Sequence, residues 1–232
     1  MVRKAPAPVA DPAPVTKQEG ARVTSGPFKG TIAAPAATTP TVTPKPGMQS
    51  DRWARAKVSA KYTLRLDKEV DRWKRTEATY RALQKMRANG VPAYVIYGFH
   101  MRESDCSFQR HLHEGSLLKA RTVDVPKGRL PNIPPPYTFL VSAEDALYTY
   151  EKLERRDWKH LETALQAAES YNGLGYQKKG RISPYMWSGT TIYTGGKYVK
   201  DHVFSATAID AQLGVCAVLK RMQDRGIAVD FK

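Results

Sequence analysis

The chain has 232 residues and carries 37 Lys and Arg against 22 Asp and Glu, a formal net charge of +15. An excess of this size draws in polyanions, nucleic acid and acidic cell-wall polymers alike. No run of about 18 apolar residues occurs, which excludes a spanning helix. The two cysteines, Cys106 and Cys216, lack any Cys-x-x-Cys spacing, which argues against a zinc cluster or disulfide scaffold and predicts buried free thiols.

Residues 1–46 hold nine of the sixteen prolines and almost no large apolar side chains. Such a segment cannot bury enough surface to offset its ordering entropy, so a disordered Pro/Ala/Thr-rich basic arm is expected there, with one folded domain over 47–232. Met1-Val2-Arg3-Lys4 is not followed by an apolar core, so no secretory signal is expected.

Val70, Trp73, Tyr80 and Leu83 recur at helical spacing and predict a helix over Asp67 to Arg87, ended by Asn89-Gly90. Pro92 suits the first turn of a second helix, through the apolar run Val91 to Phe99, that delivers Glu103. Leu112 to Tyr137 loses helical periodicity and fills with Gly, Pro, Val and Thr, predicting loops and a small hairpin. Ser142-Ala143-Glu144-Asp145 has capping-box spacing and predicts a helix through Leu153, and Asp157 a cap for another through Ser170 with Leu161, Ala164, Leu165 and Ala168 inward. A last helix is expected from Ser205 or Thr207 to Arg225-Gly226, with Ile209, Leu213, Cys216 and Leu219 as its core stripe. The fold class is therefore mainly α (α+β).

Glu103 is the focal residue. In a helix, Ile96, Phe99 and Glu103 share a face, and a carboxyl on that face should hold its proton, as a general acid must. His111-Leu112-His113 with His100 and Glu103 could ligate zinc, but no His-Glu-x-x-His or other strong metalloprotease spacing is present, so no metal and no cofactor are expected. Tyr171, Tyr176, Tyr185, Trp187, Tyr193 and Tyr198 alternate with Asn172, Ser183, Ser188, Thr190 and glycines. That composition suits a groove for sugar rings, which present apolar faces and hydroxyl edges, and equally a loop that plugs the core.

Glu103-Ser104 with Phe108 resembles the opening motif of the goose-type lysozyme and soluble lytic transglycosylase superfamily, and Ser170-Tyr171-Asn172-Gly173-Leu174-Gly175 resembles its later Ala-Tyr-Asn-Ala-Gly motif. With His100 to Arg129, Ile182-Ser183-Pro184-Tyr185-Met186-Trp187 and Gly196-Lys197-Tyr198-Val199, the likeness extends to phage-type and bacterial lysozyme-like proteins over roughly residues 85 to 226. The Gly-Leu-Met-Gln segment of lytic transglycosylases is absent, replaced by Gly115 to Pro136, and Glu114, Thr122 and Asp124 follow Glu103 at spacings unlike those of small phage lysozymes.

The resemblance implies a lysozyme-like helical domain with a hairpin or loop region beside a cleft. Glu103 would be the general acid on the bond between N-acetylmuramic acid and N-acetylglucosamine, with Ser104, Asp105, Asp124, Tyr171, Asn172, Tyr185, Trp187 and Tyr193 around the substrate. Capture by water would make a lysozyme, and capture by the muramoyl 6-hydroxyl a lytic transglycosylase. Implied partners are peptidoglycan strands and the anionic wall surface, with a monomer acting at the bacterial wall without stable membrane insertion. The alternative from another class is a non-catalytic basic protein that binds nucleic acid or wall polymer, for which a buried acid serves no purpose.

Overall fold

A computed structural model describes residues 48–200 and 203–231. The arm expected over residues 1–46 lies outside the described residues. Helix dominates, with one small antiparallel sheet. The order is α1 (Met48–Arg55), α2 (Thr63–Lys85), α3 (Ala93–Ser104), α4 (Phe139–Glu144), α5 (Leu161–Tyr171), α6 (Gly175–Lys178), α7 (Pro184–Trp187), β1 (Lys197–Lys200), β2 (Val203–Ser205) and α8 (Val215–Asp224). No described helix is long and apolar enough to cross a membrane.

The core is organised around α3. Its residues from Val95 to Met101 are all buried, because α2 packs on one flank and α8 on another, so no polar face is needed. Helix α2 contributes the expected stripe of Val70, Trp73, Tyr80 and Leu83, extended by Leu66. Helix α8 contributes Val215 to Leu219 and Met222. The approach of α8 is close enough that a Cβ on Gly98 would lie 2.7 Å from Val215 Cγ1, and one on Gly214 would lie 2.5 Å from the Met186 carbonyl oxygen. Cys106 and Cys216 are both free and buried.

His100 seals the end of the aromatic core. Its Nε2 lies 3.0 Å from the Ser107 carbonyl oxygen, which can only accept, so Nδ1 accepts from the Tyr80 hydroxyl at 2.9 Å. Burial pushes this imidazole down to about 4, keeping it neutral at physiological pH.

Four expected boundaries are corrected. No hairpin forms over Leu112 to Tyr137. That loop carries the isolated bridge between Arg110 and Leu117, and the Tyr137 amide donates to the Leu118 carbonyl. The hairpin of the described residues is instead β1–β2, with Lys197 opposite Ser205 and Tyr198 opposite Phe204. Helix α4 starts earlier than Ser142 because Thr138 is the cap, its hydroxyl accepting from the Val141 amide; Ser142 is a buried interior position, and the chain continues as a π-helical turn through Tyr150. Asp157 binds the Lys159 amide and His160, and α5 begins only at Leu161. The last helix begins at Val215, since Ser205 belongs to β2 and the following segment runs irregularly, with Ile209 53 % exposed.

Helix α1 docks on α5 through polar groups. The Ser50 amide and hydroxyl donate to Glu162 at 2.7 and 3.0 Å, and the Gln49 amide donates to the fully buried Glu169. Burial pushes the Glu169 carboxyl up to about 7, against the opposing pull of Arg52 and Gln49. A carboxyl raised on folding favours the native state below its ordinary pKa of about 4.5, and that contribution is lost as pH rises through about 7. Native stability should therefore fall between about pH 4 and about pH 8 by roughly 3 kcal/mol from this group. Urea unfolding of Glu169→Gln should lack that part of the pH dependence, because the amide still accepts from Gln49 but does not titrate. An unaltered pH dependence in the variant contradicts the assignment.

Candidate active site

The last turn of α3 carries Glu103, which is 8 % exposed. Its Oε1 accepts a hydrogen bond of 3.0 Å from the hydroxyl of Tyr185, brought in by the short α7 behind Pro184. Phe99, one turn before the acid, stacks on Tyr171 at the end of α5, with ring centroids 4.2 Å apart and planes 6° from parallel. The Tyr171 hydroxyl donates to the Leu112 carbonyl at 2.9 Å. The carboxyl thus lies in an aromatic setting made from three helix ends.

The protonation of this pocket follows from that geometry. Burial first, and then the charge of Glu103, push the Tyr171 and Tyr185 phenols far above their ordinary range. Both remain O–H donors at any physiological pH. Oε1 of Glu103 accepts from Tyr185, and its Oε2 is itself shielded from solvent, so a substrate oxygen reaches the carboxyl only where the pocket opens beside it. Glu151 is a second carboxylate whose charge reaches Tyr171.

A cation braces the arrangement from behind. The Arg102 guanidinium lies 5.0 Å from the centroid of the Tyr185 ring and donates to Asp210 at 2.9 Å; the side chains of this pair are 9 % and 6 % exposed. Burial alone would raise the Asp210 carboxyl, but Arg102 and Lys197 hold it below its ordinary range. On the other side, the fully buried His113 donates from Nε2 to Asp145 at 2.8 Å, and Arg129 grips the same carboxylate at 2.7 and 2.9 Å. Against burial, these two partners lower Asp145 to about 2.

The other expected site residues divide into those near Glu103 and those elsewhere. Tyr171 and Tyr185 belong to its setting, but both rings are buried and line the acid from within rather than facing a substrate, and the buried Asn172 follows Tyr171 as the cap of α5. Ser104 directs its hydroxyl back to the His100 carbonyl at 3.4 Å. Asp105 adopts a left-handed backbone at the end of α3, and its side chain, 85 % exposed, pairs with Arg72 at 3.1 Å. Asp124 is exposed in the long loop, with no bond to the Glu103 cluster among the described residues. Tyr193 lies one layer away, its hydroxyl accepting from the Asp210 amide at 3.1 Å. Trp187 is fully buried, and its indole N–H finds no acceptor among the described residues. A sugar platform needs a face open to solvent, so the platform role expected for Trp187 does not fit; the ring is core.

His111 places Nε2 on the Ala120 carbonyl and Nδ1 on Ser142, both at 2.8 Å, and His100 and His113 are likewise engaged in internal hydrogen bonds. Among the described residues, no three His, Cys, Asp or Glu side chains converge to hold a metal ion.

The pairings of Arg102 with Asp210 and of His113 with Asp145, and the part played by Gly115, escaped the sequence. Gly115 carried a readable signal, being a glycine just after the histidines. Its φ is +82°, and a Cβ there would lie 2.5 Å from the Glu103 carbonyl oxygen. The loop closes on the backbone of the acid, so Gly115→Ala must displace one or the other. We expect a loss of about 1 to 3 kcal/mol on chemical denaturation; a variant as stable as the parent would contradict this closure.

Comparison with known proteins gives no family model that matches the chain, and no curated protein and no solved structure that matches it.

Proposed function

We propose that the chain is a peptidoglycan-cleaving glycosidase with a lysozyme-like helical domain, acting on the β-1,4 bond between N-acetylmuramic acid and N-acetylglucosamine. The observation that carries this is the placement of Glu103, a nearly buried carboxyl at the end of a core helix with one oxygen occupied by Tyr185. A nearly buried acid held by a phenol hydroxyl is a poor phosphate binder and a suitable general acid. The Tyr171-Asn172 pair, read from the sequence as a second motif, ends α5 with the Tyr171 ring stacked on Phe99.

In the reaction, Glu103 gives its proton to the glycosidic oxygen as the bond from that oxygen to the muramoyl anomeric carbon breaks. The oxocarbenium-like centre is captured by water, which then returns a proton to Glu103, or by the muramoyl 6-hydroxyl, which does the same while closing an anhydro ring. Tyr185 remains a donor to Oε1 throughout, steadying the carboxylate once its proton has left. The basic excess of +15 serves attachment to an anionic wall, and no metal or cofactor takes part in this scheme. The chain acts as a monomer at the bacterial wall.

Glu103→Gln tests the assignment. The amide is nearly isosteric and accepts from Tyr185, but it cannot supply the proton. Clearing of purified walls should slow by roughly two to four decades, the usual scale for a general acid. The melting temperature should stay close to that of the parent, and clearing at the parental rate would remove Glu103 from the chemistry.

A further inference from the structure

Beyond Glu103 there is a cleft of about 200 Å3, walled by Arg181, Ile182, Tyr193, Gly195, Gly196 and Phe204. The glycines keep it open. Gly196 has φ +95°, and a Cβ there would lie 3.0 Å from the Phe204 ring; Gly195 has φ +150°, with the Ala206 carbonyl oxygen 3.4 Å from its Cβ position.

Arg181 is the unusual member. Its guanidinium carbon lies 3.6 Å from the centroid of the Phe204 ring, so the charged group rests on an aromatic surface. Arg102, Arg129, Arg221 and Arg225 each hold an aspartate at 2.7 to 2.9 Å. Among the described residues the Arg181 side chain holds none; only its backbone is engaged, the carbonyl accepting from Arg52 and the amide donating to the Tyr176 carbonyl. A planar fork of donors, stacked on a ring and without an acid partner among the described residues, is made for an incoming carboxylate. Lys179, over the Tyr198 ring at 5.2 Å, adds positive charge close by. The cleft is also coupled to the acid. Its wall Tyr193 accepts from the Asp210 amide, Asp210 pairs with Arg102, and Arg102 lies over the Tyr185 ring that binds Glu103.

We propose that this cleft is a subsite for the carboxylate-bearing peptide carried by the wall glycan, with Arg181 as the residue that reads its charge. The assignment rests on the glycosidase function above and deepens it. Ile182 and the Tyr193 ring offer apolar surface to the peptide's alkyl groups, while Arg181 pairs with a carboxylate. A neutral chitin chain has nothing to place there. The cleft thereby distinguishes peptide-bearing wall glycan from other polymers of N-acetylglucosamine.

The test is binding to the full-length chain carrying Glu103→Gln, which leaves the ligand uncut. Calorimetry at low salt compares a peptide-bearing N-acetylglucosamine–N-acetylmuramic acid tetrasaccharide with chitotetraose. Adding Arg181→Gln should weaken the peptide-bearing ligand about tenfold and leave chitotetraose within about twofold, while Arg181→Lys, which keeps the charge and loses the fork, should fall between. Parallel weakening of both ligands, no change in either, or no measurable binding of the peptide-bearing glycan overturns the subsite. Cleavage of walls by the unaltered chain reports separately on the glycosidase function. Cleavage without peptide discrimination removes the subsite alone, and peptide-dependent binding without cleavage removes the glycosidase alone.

Discussion

Burying a carboxyl in an apolar interior costs free energy unless a donor meets it, and the hydrogen bond from Tyr185 to Glu103 meets that cost. Much of the molecule serves to make that contact possible. Helix α3 runs through the centre, flanked by α2 and α8, so its last turn is held rigidly. Helix α7 is only four residues long, yet Gly214 lets α8 press directly on its backbone, fixing where Tyr185 points. Arg102 then lies over the Tyr185 ring and is itself tied to Asp210. The acid is thereby oriented by a chain of contacts that spans more than a hundred residues of sequence.

The same logic explains the loop after α3. Residues 105–138 carry little regular structure but are fastened by side chains to backbone: His111 to the Ala120 carbonyl, Thr122 to the Pro126 carbonyl and the Arg129 amide, Tyr137 to the Ile133 carbonyl. Asp145, held ionised by Arg129 and His113, anchors this loop to the turn after α4. Gly115 can then rest against the Glu103 backbone, where any side chain would intrude. A loop that stays put without a sheet supplies a fixed wall beside the acid.

Helices α2 and α3 were legible because their apolar spacing is strong and Pro92 marks an unambiguous start. The hairpin was misplaced because Val and Thr between Leu112 and Tyr137 suggested strands, whereas side-chain bonds took the place of a ladder there. The true hairpin carried its own signal, Gly195-Gly196 ahead of the cross-strand aromatic pair Tyr198 and Phe204. Glu103, Tyr171 and Tyr185 do lie together, and each could be singled out beforehand because it falls in a segment that resembles a family motif. Arg102–Asp210 and His113–Asp145 could not, because each joins residues far apart in sequence and nothing local marks one as the other's partner. Trp187 read as a platform because an aromatic in a glycine-rich segment is compatible with either fate, and only packing decides that it is core.

The central claim is that a protonated Glu103 breaks a muramoyl glycosidic bond, and mass spectrometry of purified peptidoglycan digested by the unaltered chain tests it most directly. The expected products are glycan fragments that end on N-acetylmuramic acid, either as reducing sugars or, one water lighter, as anhydro sugars. Fragments cut at amide bonds with the glycan strands left intact, or walls returned unchanged, would contradict it.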